Sequence, residues 1–256
     1  MSFIIFHQPK TGGSYAKTAL PDSYVLGHYH NYNYCLTHNY NFNNKKLVCI
    51  IREPIDYYIS LITFWCLDPV YCKIISTNTI EQLTIDYDKK IKNNDVIGHP
   101  NYWMSNGFTE RNIINILNNL FSDEFIQNNI NKLSKNHHTN DNYVFLILSK
   151  LDIGYYTFAF LDQYSRKKVS EIKTTEECKE EIIYIKNNFI TLNNKYLTKQ
   201  LKELCEKFNV SFINTDKIKC SDRKPIEFYN ISNDLINKIK YKERYMLEIF
   251  KDIYEQ

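Results

Sequence analysis

The sequence predicts an α/β fold, a parallel sheet flanked by helices, and three observations carry that expectation. Short runs of β-branched and aromatic residues at 2–7, 23–29 and 46–53, each bounded by turn formers, read as strands. Helix-like stretches follow the first and third runs, and such alternation is the pattern of a parallel sheet. No internal repeat, linker-like composition or second core interrupts the 256 residues, so one domain spanning 1–256 is the economical architecture.

Taken in order, the first strand SFIIFH runs into HQPKTGGSY, residues 7–15. A glycine turn between strand and helix points several backbone N–H groups at one spot, which suits a phosphate, and Lys10 adds a mobile full charge. The lysine precedes the glycines, so the triphosphatase pattern G-x-x-x-x-G-K-[ST] is absent, as is G-x-G-x-x-G. A plain Pro/Gly turn would carry the same letters. The second strand, SYVLGHY, brings His28; if it extends to His30, the two imidazoles share a face.

The third strand, KLVCIIRE, ends at Arg52 and Glu53. Pro54 then suits a first helical turn, and apolar residues at 55, 58, 59, 62 and 65 give the following helix a buried face. Arg52 and Ser60 can meet one oxyanion from two sides. Alternatively, Arg52 is a surface residue pairing with Glu53 or Asp56. Both basic elements fall at strand carboxyl ends, where open α/β sheets bind ligands.

Residues 73–140 are polar and Asn-rich and read as a helical or loop insertion, with helices at 109–121 and 122–133, the second capped by Ser122. The apolar run 142–161 is buried, but its period does not separate helix from strand. Its GYYTFAF segment lines an acceptor pocket or packs in the core. EEIIYIKNNFI (180–190) reads as a late strand, 193–208 as an amphipathic helix with 197, 201, 204 and 208 inward, and 231–254 as a closing helix.

Composition narrows the function classes. A net charge of +3 with scattered lysines argues against nucleic acid as a partner. Seven cysteines without C-x-x-C pairs or zinc spacing support neither a disulfide framework nor a metal site, and fit a reducing compartment. The first strand leaves no room for a signal peptide and no apolar run reaches a membrane span, so a cytoplasmic or otherwise soluble protein is expected.

Together, HQPKTGGSY and IIREPIDYYIS resemble the 5′-phosphosulfate loop and the 3′-phosphate strand and helix of sulfotransferases that use 3′-phosphoadenosine 5′-phosphosulfate (PAPS). The likeness is to Golgi-type carbohydrate sulfotransferases and their soluble bacterial relatives, whose loop typically reads H-x-P-K-T-G/A-G-T-S. It covers residues 2–65 and, more loosely, about 180–250, where INTDKIKCSDRKPIEFY is similar to a basic segment that closes over the nucleotide. Tyr15 after Ser14, and Glu53 in place of an aspartate or asparagine, depart from the usual form.

The resemblance implies a P-loop-like sheet and a metal-independent transfer of the sulfo group to a hydroxyl or amine, most naturally of a carbohydrate. It implies that Lys10, Thr11, Gly12, Gly13, Ser14 and Tyr15 surround the 5′-phosphate. Arg52 and Ser60 would then hold the 3′-phosphate, and Arg223 would contact the nucleotide. Lys10 would also neutralise the leaving group. VLGHYH is similar to a Gly-His segment whose histidine is the base in some members, making His28 the first choice and His30 the second. Residues 73–175 would shape the acceptor site. Two rivals stand beside this reading: a P-loop kinase-like phosphoryl transferase, disfavoured because no Walker lysine or magnesium-holding hydroxyl follows the glycines, and a non-catalytic nucleotide-binding or virion-type structural module.

Overall fold

The computed structural model describes residues 2–26, 30–67, 141–213 and 229–256 and single positions between 114 and 127; at 63–67 and 141–145 it describes the backbone alone. Four strands, β1 (Ser2–Phe6), β2 (Val25–Leu26), β3 (Lys45–Ile51) and β4 (Phe189–Asn193), form one sheet in the order β2-β1-β3-β4. All pairings are parallel.

Alternation along the strands decides which helices cover which face. Phe3 and Ile5 of β1 and Val48 and Ile50 of β3 join Tyr15, Ala16 and Ala19 of α1 (Gly13–Ala19) and Leu197, Leu201, Leu204 and Cys205 of α7 (Leu197–Phe208) in one core cluster. Ile4, Phe6, Cys49 and Ile51, the intervening residues, join the other. That cluster is built by α2 (Tyr32–Thr37), α3 (Pro54–Leu67), α4 (Asp141–Leu151), α5 (Tyr155–Tyr164), α6 (Thr175–Asn188), α8 (Asn233–Lys242) and α9 (Arg244–Ile249). The chain steps from β1 one way to β2 and then back past β1 to β3. Its crossover helices α1 and α2 lie on opposite faces, as right-handed crossovers in opposite directions require.

α3 is buried more completely than its period suggests. Ile55, Tyr58, Ile59 and Ile62 face inward as expected, and Tyr57, Ser60 and Leu61 are buried as well. α7 follows the expected pattern at 197, 201 and 204 and adds Cys205, while Phe208 is half-buried. The run 142–161 resolves into α4 and α5, two helices.

The late strand expected at 180–190 is corrected: those residues lie in α6, and β4 begins only at Phe189. The helix starts at a Thr174 side chain that accepts from the Glu177 amide, with Glu176 and Glu177 in its first turn. Its buried stripe is Cys178, Glu181, Ile182 and Ile185, a 3.6-residue period that begins upstream of the apolar run IIYI. The single closing helix is corrected too. It is three pieces, α8, α9 and α10 (Lys251–Tyr254), with breaks at Glu243 and Phe250. At the first break Glu243 is wholly buried and its carboxylate is drawn across to α5, while the Lys242 carbonyl accepts from Gly154 N at 3.0 Å.

Of the insertion, Ile114, Leu117, Asn118, Leu120, Asp123, Glu124 and Gln127 are helical, and Phe121 packs on Tyr58 with ring centroids 5.0 Å apart. The rest of the proposed helices at 109–121 and 122–133 lies outside the described residues. No helix among the described residues is long and apolar enough to cross a membrane.

Candidate functional site

The two motifs meet at the carboxyl ends of β1 and β3, the neighbouring strands from which the chain departs in opposite directions. That is the topological switch point of the sheet, the place where open α/β folds form a crevice. The pairing of β1 with β3 runs from Ser2 and Lys45 to Ile5 and Val48. Beyond it the Tyr164 hydroxyl stands between the strands, accepting from Ile50 N at 3.4 Å and donating to Phe6 O at 3.2 Å. Next to it, the Tyr156 hydroxyl accepts from Arg52 N at 2.9 Å. GYYTFAF thus supplies core through Tyr156, which like Tyr164 further along the same helix is fully buried, and the two hydroxyls satisfy backbone groups at the mouth of the crevice.

The PKTGG turn is held by its carbonyls. Thr11 Oγ1 donates to Gln8 O at 3.0 Å, Arg52 Nη1 to Lys10 O at 2.7 Å and Asn194 Nδ2 to Thr11 O at 2.7 Å. With those carbonyls occupied, α1 begins at the Ala16 N to Gly12 O bond of 3.0 Å. The amides of Gly12, Gly13, Ser14 and Tyr15 are then the four that a helix start leaves without an intrahelical acceptor.

The consecutive glycines have separate reasons. Gly12 has φ 108°, in the left-handed region, and a Cβ on it would lie 2.5 Å from Leu197 Cδ2 and 2.7 Å from Asn194 Nδ2. At Gly13 a Cβ would collide with Cδ2 of the His7 ring. Lys10 is itself left-handed, at φ 64°.

Arg52 bolts the two motifs together. Besides its bond to Lys10 O, its Nε donates to Asp56 Oδ2 at 2.6 Å in a largely buried ion pair. Asp56 and Ser60 are one helical turn apart on α3 and share a side of it, and Arg52, which precedes the helix, bonds to the first of them. The pairing with Asp56 anticipated as the alternative is present, and it is internal rather than on the surface, with Arg52 8% exposed. Glu53 caps α3: its carbonyl accepts from Tyr57 N at 2.8 Å and its carboxylate from Asp56 N at 2.8 Å. Burial pushes the Glu53 carboxyl above its ordinary range.

The remaining expected site residues are distributed as follows. Thr11 is fully buried, Ser14 is exposed, and Tyr15 turns its ring into the core under α1, its hydroxyl buried and without a hydrogen-bond partner. Ser60 is 3% exposed. His30 does not continue β2. It precedes α2, its carbonyl accepts from Gln163 Nε2 at 3.3 Å, and its ring sits between Tyr34 and Tyr40. The bond from His7 N to Leu26 O, 3.1 Å, keeps the end of β2 beside the PKTGG turn. His28, Arg223 and the rest of the basic segment 214–228 lie outside the described residues.

Sequence reasoning missed Gln8, Asn194, Tyr156 and Tyr164. Gln8 is fully buried at the end of β1 with neither amide atom in a hydrogen bond. Asn194 had a signal, being half of an Asn-Asn turn directly after a strand. Burial pushes the thiols of Cys35 and Cys49 up, to about 11 and about 12, away from the thiolate form a nucleophile needs at neutral pH. Among the described residues no group of His, Cys, Asp and Glu is arranged to hold a metal ion. No protein-family model, curated protein or solved structure matches the chain.

Proposed function

We propose that the chain is a PAPS-dependent sulfotransferase of P-loop-like fold acting on a hydroxyl-bearing acceptor. The observation that carries the reading is the junction of its two cationic motifs: PKTGG and IIREP end adjacent parallel strands at the switch point, and Arg52 Nη1 lies 2.7 Å from Lys10 O. One further feature fits an anionic ligand there: the amides of Gly12, Gly13, Ser14 and Tyr15 open α1 without intrahelical acceptors.

In this reading Lys10 and the amides of Gly12, Gly13 and Ser14 hold the 5′-phosphate, and Arg52 with Ser60 recognises the 3′-phosphate that separates this donor from ATP. Asp56 and Lys10 O fix the guanidinium in place for that role. Tyr15 contributes packing and its backbone amide, because its ring belongs to the core. The acceptor oxygen attacks sulfur as the bond from sulfur to the bridging phosphate oxygen breaks. The acceptor proton passes to an imidazole, His28 or His30, and the electron pair leaves with the phosphate, where Lys10 meets the developing charge.

The test is transfer from radiolabelled donor to pooled glycans, peptides and small phenols, run with and without EDTA. Label on an acceptor, unchanged by chelation, is the expected result. Transfer abolished by EDTA and restored by magnesium would support the kinase-like rival, and nucleotide binding without turnover on any acceptor would support the non-catalytic one.

A further inference from the structure

We propose that the exposed rings of α2 and the turn after it form a saccharide-binding platform. His30, Tyr34 and Tyr40 make a triangle with ring centroids 5.9 Å (His30 to Tyr34), 6.0 Å (His30 to Tyr40) and 6.4 Å (Tyr34 to Tyr40) apart. The two tyrosines are each 40% exposed, a large aromatic surface for a soluble face to leave open.

The platform is built rather than incidental. His38 stacks on Tyr34 at 3.9 Å, and its Nδ1 lies 2.9 Å from Tyr34 O. A carbonyl only accepts, so Nδ1 is the donor in that contact. From below, Tyr40 leans on Phe42 and Phe42 on the buried Tyr32, which ties the rings to the main core. Asn31 caps α2 by accepting from Tyr34 N at 2.8 Å, fixing the helix that carries the first tyrosine.

The chemistry of the surroundings selects the ligand. From Ser23 to Asn44 there is no Asp, Glu, Lys or Arg, in a chain that is 24% charged. What interleaves the rings along this segment is asparagine amides, tyrosine hydroxyls and imidazoles; the charged residue packed against α2, Arg166, has its guanidinium paired with Glu181. A nucleic acid would need cations for its phosphates. A stable protein partner needs ~800 Å² on each side, far more than three rings. A pyranose has one face of C–H groups that packs on an aromatic ring and a rim of uncharged hydroxyls that amides, phenols and an imidazole nitrogen can bond. The platform lies on the segment that follows β2, whose end is bonded to His7 through His7 N and Leu26 O, so under the transfer reading its saccharide is the acceptor; that clause alone rests on that reading.

The experiment is affinity electrophoresis of the full chain in native gels containing a neutral β-1,4-glucan, a galactomannan or a xylan, with calorimetric titration of chitin oligomers. Wild type, Tyr34→Ala, Tyr40→Ala and Tyr34→Phe are compared, and each is also titrated with adenosine 3′,5′-bisphosphate. Wild type should bind at least one of these probes. Each alanine variant should lose about tenfold or more in affinity, while Tyr34→Phe, which keeps the ring, stays close to wild type. Nucleotide affinity should be the same in all four. A wild type that ignores every saccharide, alanine variants that bind as wild type does, or a Tyr34→Phe loss as large as that of Tyr34→Ala would each overturn the platform. Saccharide binding without nucleotide binding would leave the platform standing and remove the transfer reading instead.

Discussion

Arg52→Ala removes the side chain that joins the two motifs, and its effect on stability can be worked from the contacts. Two charge-assisted hydrogen bonds disappear, Nε to Asp56 at 2.6 Å and Nη1 to Lys10 O at 2.7 Å. Bonds to charged groups contribute about 1.5–3 kcal/mol each, and removing one partner of a buried pair costs about 3–5 kcal/mol because a charge is stranded. The Asp56 side chain is 22% exposed, so water recovers part of its solvation, and the lower end, about 3 kcal/mol, is the expected loss. Urea unfolding should show the midpoint falling by ΔΔG/m with m unchanged. Arg52→Ala combined with Asp56→Ala should be less destabilised than the sum of the single variants, because the stranded carboxylate is gone. Arg52→Lys should recover little, since one ammonium cannot reproduce a fork that spans Asp56 and the Lys10 carbonyl. An Arg52→Ala midpoint equal to wild type would refute the idea that this guanidinium bolts the turn to α3.

Two further outcomes follow from the same contacts. Gly13→Ala should destabilise by at least the ~1–3 kcal/mol typical of overpacking, and His7→Ala in the same chain should restore part of the loss; thermal melts of the three variants check this, and a stable Gly13→Ala alone would contradict the close approach of the His7 ring. The buried carboxylates should shift the acid limb of stability in opposite directions. Burial would push the Glu181 carboxyl up, but the Arg166 guanidinium and amide and the Ser165 hydroxyl hold it below the usual range, so its contribution is present above the unfolded-state pKa and is lost as pH falls through the lowered folded value. Burial raises Glu243 despite its bonds from Thr157, Tyr58 and Tyr156. Its contribution is therefore full below the unfolded-state pKa and declines as pH rises through the raised folded value. Urea midpoints against pH should show the Glu181→Gln deficit shrinking toward acid and the Glu243→Gln deficit growing; the reverse trend in either would contradict the assignment.

The parts legible in the sequence are those where local pattern and tertiary role agree. β1, β3, α3 and α7 lie where periodicity placed them, because each presents a regular apolar face to the sheet. The late strand failed where a run of three isoleucines and a tyrosine concealed a helix whose first buried residue, Cys178, precedes the run. Its start was written as Thr174-x-x-Glu177, a capping pattern that outweighs β propensity. The closing helix breaks for a reason no local pattern carries: Glu243 binds groups on α5 that are distant in the chain. At the candidate site, the letters PKTGG and REP marked the place. The spacing also offered the pairing of Arg52 with Asp56, but it could not show that Arg52 holds Lys10 O as well, or that Asn194, after β4, reaches Thr11. Such contacts depend on which strand ends become neighbours, a property of topology rather than spacing.

Calorimetric titration of the full chain with adenosine 3′,5′-bisphosphate, ADP and AMP tests the central claim most directly, because only the first carries the 3′-phosphate assigned to Arg52 and Ser60. The account predicts that the bisphosphate binds at least about tenfold tighter than the other two, the worth of one hydrogen bond to a charged group, and that Arg52→Ala removes this preference while changing AMP affinity little. Equal affinities for the three nucleotides in the wild type would contradict it.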